Sequence, residues 1–340
     1  MAKITEYLDI LLDGGDLSFA QAGELLDLVF EGEVADVQIA AFLAAMRMKK
    51  ATPNEFAGLA QSLRSHALKV ETGIENIVDT CGTGGAPLKT FNISTAAAFV
   101  TAGAGVYIAK HGNRGITSKC GSADVLDALG VKIDCSVGAI IECVQQAHIG
   151  FMFAPMFHPA MKFVQPIRKS LDFRTAFNLL GPLANPAGAN RQVMGVADIS
   201  LLDRIADTLK LLGTKYAMVV HANGLDEISS TSVTHVIELK DGKKISYEID
   251  AADLGIASPK MGELVGSNAE YNSKMIKDIL IGKNKGPARD IVLLNSAASI
   301  MVGGKADDLA GAIKKAAESI DSGSANASLE KMIEISNKNG

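Results

Sequence analysis

At 340 residues, with 48% hydrophobic and 21% charged side chains, the chain has the make-up of an ordinary globular protein with one large domain or a large and a small one. Its 33 basic and 38 acidic residues leave a formal charge of −5 and no basic tail, which disfavours a non-specific nucleic-acid binder but leaves room for a local basic pocket around a small anion. No apolar run approaches the ~20 residues of a membrane span, the N-terminus is not a signal peptide, and Cys81, Cys120, Cys135 and Cys143 lack C-x-x-C spacing, so we expect a cytoplasmic protein with reduced thiols.

The first 70 residues or so read as helices. Ile4, Leu8, Leu11 and Leu12 recur at helical spacing until Gly14-Gly15-Asp16 breaks the pattern. Ser18 with Gln21 forms a capping box ahead of a helix over 20–30. Asp36 is expected to cap a helix over 37–48, and Thr52-Pro53-Asn54-Glu55 opens another that reaches Leu68, with Pro53 where a missing N–H costs little. No catalytic group stands out here, so the apolar stripes serve packing or a dimer face.

From about residue 75 short apolar runs alternate with helices. Strands are expected at 106–109, 131–133, 150–154, 192–197 and 216–221, with a hairpin of 235–239 and 244–249 around Asp241-Gly242. Helices are expected at 95–104, 123–129, 137–146, 201–212, 273–281, 288–301, 307–320 and 328–335. Such alternation implies an α/β fold with parallel strands joined by crossover helices. One stretch departs from it. Residues 158–171 read as a basic helix with Lys162, Arg168 and Lys169, followed by 174–181 and the rigid turn Gly181-Pro182-Leu183-Ala184-Asn185-Pro186. It is expected to cross between the two units and line the cleft between them.

The chemistry concentrates after Ile77 and Val78. There Gly82-Thr83-Gly84-Gly85 precedes a helix starting near Ser94, the order that gathers backbone N–H groups around a phosphate. The loop matches neither common nucleotide motif, but Asn92, Ser94, Thr95, Lys110, His111, Asn113 and Arg114 follow it, too much polar chemistry for a plain turn. Further on, Asp226 and Glu227 are adjacent carboxylates. Taken alone they read as a solvated loop; as hard oxygen donors they suit Mg²⁺.

The ordered motifs G-T-G-G, F-N-I-S-T-A, K-H-G-N-R, S-K-C-G-S-A-D-V-L, R-T-A-F-N-L-L-G-P-L-A-N-P, H-A-N-G-L-D-E-I-S, N-A-E-Y-N and G-P-A-R-D-I-V-L-L-N closely resemble those of the anthranilate phosphoribosyltransferases, over nearly the whole chain. The resemblance implies a small all-α domain, residues 1–72 completed by a helical segment around 160–185, and a larger α/β domain, 73–159 and 186–340. The larger domain would have a mostly parallel central sheet flanked by helices in a nucleoside-phosphorylase-like arrangement, with the active site in the cleft.

It also implies the phosphoribosyl-transfer step of tryptophan biosynthesis, with phosphoribosyl pyrophosphate (PRPP) and anthranilate as substrates, Mg²⁺, and a homodimer formed through the N-terminal helices. Gly82, Thr83, Gly84 and Gly85 then match the pyrophosphate loop, with Thr90, Asn92, Ser94, Thr95, Lys110 and Ser122 as further substrate contacts. Ser94, Asp226 and Glu227 match metal ligands. Arg174 matches an anthranilate-binding arginine, with His111, Asn113, Gly181 and Pro182 near the ring. Lys110, Arg174, Asp226 and Glu227 would carry catalysis. His158 fits a helix start better than a site. No residue stands out as a general base. Ala86-Pro87 replaces the family's usual Asp-Gly, from which we expect altered metal dependence with less inhibition by excess Mg²⁺. The rival readings are a nucleoside phosphorylase, which wants a different phosphate loop, and a non-catalytic nucleic-acid-binding relative, which wants a basic face.

Overall fold

The computed structural model describes residues 3–115 and 119–338. Four helices open the chain: α1 (Lys3–Leu12), α2 (Phe19–Phe30), α3 (Asp36–Lys49) and α4 (Pro53–Ser65). Ser18 and Gln21 form the expected capping box of α2, and Thr52 with Glu55 forms a second at α4. Glu55 is fully buried. Its carboxylate accepts from the amides of Leu17 (3.0 Å) and Thr52 (2.7 Å) and pairs with Lys49 Nζ at 2.7 Å, so the burial of its charge is compensated on every side. Asp36 is not the cap of α3. It is the first helical residue, and the amide of Ala35 is satisfied by the Gln38 side chain instead. Helix α4 ends three residues before Leu68, whose amide is drawn to the Phe157 carbonyl.

The rest of the chain builds one seven-stranded sheet in the order β3-β2-β1-β4-β5-β6-β7. Its strands are β1 (Val78–Gly82), β2 (Ile108–Gly112), β3 (Ile149–Phe153), β4 (Arg191–Gly195), β5 (Tyr216–His221), β6 (Thr234–Lys240) and β7 (Lys243–Ile249). The first five are parallel and the last two form the expected hairpin. Asp241 and Gly242 both take positive φ (49° and 76°), as a tight hairpin turn demands.

The intervening helices are α5 (Ile93–Gly103), α6 (Ser122–Leu129), α7 (Val137–Ala147), α8 (Ala154–Phe157), α9 (Gln165–Leu171), α10 (Phe177–Leu180) and α11 (Leu202–Leu211). After the hairpin come α12 (Ala269–Leu280), α13 (Pro287–Val302), α14 (Leu309–Asp321) and α15 (Ser324–Lys338).

Two expectations fail here. Residues 131–133 are not a strand. Gly130 terminates α6 at φ 97°, and Val131 and Ile133 drop into the core as anchors of a short connection to α7. Residues 158–171 are not one helix either; a 3-10 turn, Pro159–Phe163, precedes α9.

The sheet's two faces serve different cores. Val193, Met218 and Val220 point to the face covered by α5 and α12–α15. Met194, Ala217 and Val219 point to the other, where α11, α2–α4 and the segment from α9 to Leu183 share one continuous core. The helical bundle is therefore anchored through the sheet. Chain order runs from β1 outward through β2 and β3, then restarts on the other side of β1 with β4. That reversal lies between β1 and β4, and in open α/β sheets the crevice beyond such strand ends is where ligands bind.

Candidate functional site

The glycine loop leaves β1 at that reversal. Gly84 and Gly85 take φ of 65° and 77°, a conformation with little room for other residues. Close approach demands two further glycines. A Cβ on Gly82 would stand 2.3 Å from Asp226 Oδ2, and one on Gly195, at the end of β4, 1.7 Å from the Asp226 carbonyl oxygen. The loop after β5 is thus laid directly across the ends of β1 and β4. The Gly84 amide donates to Asp226 Oδ2 at 3.0 Å, and Thr83 is fixed by its amide to the Gly195 carbonyl (2.9 Å) and by its Oγ1, which accepts from the Ala197 amide (3.2 Å).

Beneath the loop lies a buried charge cluster. Lys110, on β2, donates from Nζ to the Thr80 carbonyl at 2.5 Å and to Ser94 Oγ at 3.3 Å. Burial pulls its pKa down, opposed by Asp79 and Glu227. Burial and the neighbouring Asp226 charge push Glu227 up to about 8, and burial also raises Asp226. Asp79 is pushed up to about 6 by burial, and its Oδ2 has no hydrogen-bond partner among the described residues. A small cavity of about 10 Å³ next to the cluster is lined by Thr80, Ser94, Glu227, Asn295 and Ser299 together with apolar residues such as Ala97, Val193 and Val220.

A much larger cavity of about 540 Å³ opens from the glycine loop toward the helical segment. Gly82 and Thr83 form one end; Lys162, Gln165 and Arg168 belong to the segment that crosses to the bundle, and Met161, Phe177 and Pro182 supply apolar wall. Arg168 stacks over Phe177 with its guanidinium carbon 5.5 Å from the ring centre, and it lies half-buried. His111 and His158 face each other across 5.0 Å on the same wall. Burial pushes His111 down to about 3 and His158 down to about 4, so both are neutral at pH 7.

Of the residues singled out in the sequence, Gly82, Thr83, His111, Asn113, Gly181 and Pro182 line the large cavity, while Ser94 and Glu227 meet at the small one. Asn92 is already engaged: its Oδ1 accepts from Asn272 Nδ2 at 2.9 Å and its Nδ2 donates to the Cys120 carbonyl at 3.3 Å. Thr90 pairs with Val265 in an isolated bridge, Thr95 is buried within α5, and Ser122 Oγ donates to the Asn113 carbonyl at 3.4 Å.

Arg174 is not brought to the cavity wall. Asp172 ends α9 in the left-handed conformation (φ 49°), and Arg174 folds over the glycine loop, donating to the Gly84 carbonyl at 2.8 Å. Its own carbonyl is held by Arg47 of α3 at 2.5 Å. The arginine on the wall is Arg168, six residues earlier, beside Lys162; its basic helix-like context was visible but its inward direction was not. His158 likewise proves to line the cavity, and Asp79 was missed although a carboxylate between Val78 and Thr80, just before the glycines, is the kind of interruption that signals a buried charge.

Comparisons with known proteins divide the chain as the fold does. Residues 5–67 match the model described as "Glycosyl transferase family, helical bundle domain" and residues 74–326 the one described as "Glycosyl transferase family, a/b domain". The class is thus a two-domain glycosyltransferase. Anthranilate phosphoribosyltransferases of Methanocorpusculum labreanum and Desulfatibacillum aliphaticivorans are 48% and 45% identical, over 98% and 99% of this chain and the same shares of their own. The crystal structure of the Thermus thermophilus enzyme superposes with a TM-score of 0.92 at 36% identity, covering 97% of this chain and 99% of that one. A Saccharomyces cerevisiae structure, in complex with PRPP and Mg, gives 0.90 at 28% identity, covering 99% and 98%. The chain belongs to the anthranilate phosphoribosyltransferase family.

Proposed function

We propose that the protein transfers the phosphoribosyl group of PRPP to the amine of anthranilate, releasing pyrophosphate, in the tryptophan-biosynthetic step its relatives are named for. The observation that carries this reading is a glycine loop, held from behind by the Asp226 carboxylate, at one end of a 540 Å³ cavity whose wall also holds a single arginine, Arg168. A phosphorylated sugar spans the loop end; a small aromatic acid fits the apolar wall with its carboxylate on Arg168. The yeast relative has been captured with PRPP and Mg and with 4-fluoroanthranilate, which supports the same pair of sites.

In the reaction the bond from the anomeric carbon to the pyrophosphate oxygen breaks, its electron pair leaves with pyrophosphate, the amine nitrogen bonds to that carbon, and the amine proton passes to solvent. The glycine loop amides would hold the departing phosphates, with Thr83 and Ser94 as hydroxyl donors and Lys110 as a buried positive charge behind them. Asp226, Glu227 and Ser94 fit Mg²⁺. They are hard oxygen donors, and burial together with the Asp226 charge raises Glu227 despite the opposing charge of Lys110, so a cation bound there would relieve the pair. Among the described residues no group of three or more His, Cys, Asp or Glu is placed to hold a metal ion by itself, so the substrate's phosphates and water would have to complete the shell. When bound, Mg²⁺ supplies neutralisation of the leaving charge. No base is required: an aromatic amine is neutral and nucleophilic at pH 7, so positioning and leaving-group stabilisation are sufficient.

Arg174 serves the phosphate end in this reading, strapping the glycine loop. Ala86, buried with its carbonyl accepting from Lys89 Nζ at 2.7 Å, leaves the loop without the family's carboxylate and so shifts its metal dependence. The same reading makes the protein a cytoplasmic homodimer paired through the N-terminal helices, where Leu12, Val37 and Met48 are exposed. Among the described residues no helix is long and apolar enough to cross a membrane.

The test is the fluorescence of anthranilate mixed with PRPP, Mg²⁺ and protein. Loss of signal that needs all four establishes the transferase. Binding of PRPP without loss would point to another acceptor.

A further inference from the structure

The acidic pair owes its position to a residue on a distant helix. Asn295 sits in the middle of α13, buried, 67 positions along the chain from Ile228. Its Oδ1 accepts from the Ile228 amide at 2.9 Å, and its Nδ2 donates to the Ile228 carbonyl at 2.9 Å and to the Ile291 carbonyl at 2.9 Å. The Ile228 amide is the nitrogen of the peptide bond that ends Glu227. The side chain therefore grips the chain directly behind the carboxylate pair, much as a neighbouring strand would. On the other side, Ala222 and Leu225 exchange backbone hydrogen bonds (3.1 and 2.7 Å), and the Asp226 carbonyl rests against Gly195. The pair is held from both ends, and Asn295 is the only side chain among the described residues recorded as bonding to Ile228.

Its surroundings separate this from ordinary core packing. The rest of α13 facing the core is apolar or bears small hydroxyls that bond chiefly back to their own helix, as Ser296 does to the Val292 carbonyl at 2.7 Å, with a longer contact to the Ala97 carbonyl of α5 at 3.4 Å. A buried primary amide is costly unless its donors and acceptor are met, and here the backbone of the site loop meets the acceptor and one donor while the Ile291 carbonyl meets the other. Asn295 also lines the small cavity that Glu227 and Ser94 border. We propose that Asn295 is a positioning residue for the reaction, setting Asp226 and Glu227 at the spacing from the glycine loop that binds the Mg²⁺–pyrophosphate end of the substrate. This rests on the transferase reading above, and the wild-type assay is run beside it so that the two can fail separately.

The experiment compares wild type, Asn295→Ala and Ser296→Ala. Removing a group that orients metal ligands costs about 10–100-fold in metal affinity or activity. Asn295→Ala should accordingly raise the Mg²⁺ concentration for half-maximal turnover about 10-fold or more, while turnover at saturating Mg²⁺ recovers most of its loss. The anthranilate KM should stay within about two-fold, because the far wall of the cavity is untouched. By calorimetry, Asn295→Ala should lose the gain in PRPP affinity that Mg²⁺ confers and keep the Mg²⁺-free affinity. Ser296→Ala, one residue along the same helix, should move none of these even where it lowers Tm.

An unchanged Mg²⁺ requirement in Asn295→Ala, or an equal shift in Ser296→Ala, overturns the proposal. Should Asn295→Ala fail to fold, hydrogen exchange of the wild-type protein without metal decides: the proposal requires the Ile228 amide to be the most protected of residues 226–228, and fast exchange there contradicts it. Wild type that turns over no anthranilate at all would instead remove the transferase reading.

Discussion

The two ends of the cavity solve different problems. At the glycine loop, charges are packed together below the surface: Lys110 against Thr80 and Ser94, Glu227 pushed up to about 8, Asp79 up to about 6. At the helical end Met161, Phe177 and Pro182 form an apolar wall with Arg168 and Lys162 on it, and the two histidines there are neutral. Burial at the first end disfavours the charged forms of Glu227, Asp226 and Lys110, a cost that the proposed phosphate and cation would relieve. The second is shaped and apolar before anything binds. An enzyme whose difficulty is a leaving group invests its buried charge where that group departs and leaves the nucleophile merely oriented.

Substitutions at the two ends should break this contrast or sharpen it. The largest effect is expected at the charged end: Asp226→Asn or Glu227→Gln should lower kcat/KM for PRPP by about 10²–10³-fold, measured by the fluorescence assay over a range of Mg²⁺, as for other removals of groups that stabilise a developing charge. Next comes the apolar end. Losing a hydrogen bond to a charged group costs about 1.5–3 kcal/mol, so Arg168→Ala should raise the KM for anthranilate by about 10–100-fold with the KM for PRPP nearly unchanged. Arg174→Ala should show the reverse preference.

Gly85→Ala tests the strap. Its Cβ would lie 2.3 Å from the Arg174 guanidinium, at a φ of 77° that L residues avoid, so PRPP binding should weaken with anthranilate binding intact.

A smaller effect concerns pH. Glu227 is raised to about 8 in the folded chain from an ordinary 4.5, so between those values the folded state holds a proton the unfolded state has lost. Its contribution to stability is therefore nil below the unfolded value and grows unfavourable as pH rises toward 8. Glu227→Gln should raise the Tm of the ligand-free protein at pH about 8 and leave it unchanged near pH 4. The smallest expected effect is Ala86→Asp, which should increase inhibition by excess Mg²⁺; steep inhibition already present in the wild type and unchanged by the substitution would refute that role for Ala86.

Much of the fold was legible in the sequence because local signals and burial agree. Ser18 with Gln21, the Asp241-Gly242 turn and the run Tyr216–His221 emerged where they were expected. Where an apolar run had two uses, sequence periodicity could not choose. Val131 and Ile133 look like a strand but serve as anchors after Gly130. At the site, the glycine loop was readable from its own composition. Arg168 and Arg174 were not distinguishable by residue type, since which one turns inward depends on the backbone reversal at Asp172. Asn295 lay in a matched motif, but its partner is 67 residues away and only the packing of α13 on the site loop reveals it.

The most direct test of the division between the two ends is one grid of initial rates, varying PRPP and anthranilate at fixed Mg²⁺, for wild type, Arg168→Ala and Asp226→Asn. The account predicts that Arg168→Ala moves the anthranilate KM alone and Asp226→Asn moves kcat and the PRPP terms alone. If both variants shift the same parameters, or if Arg168→Ala leaves the anthranilate KM where it was, the assignment of the two ends is wrong.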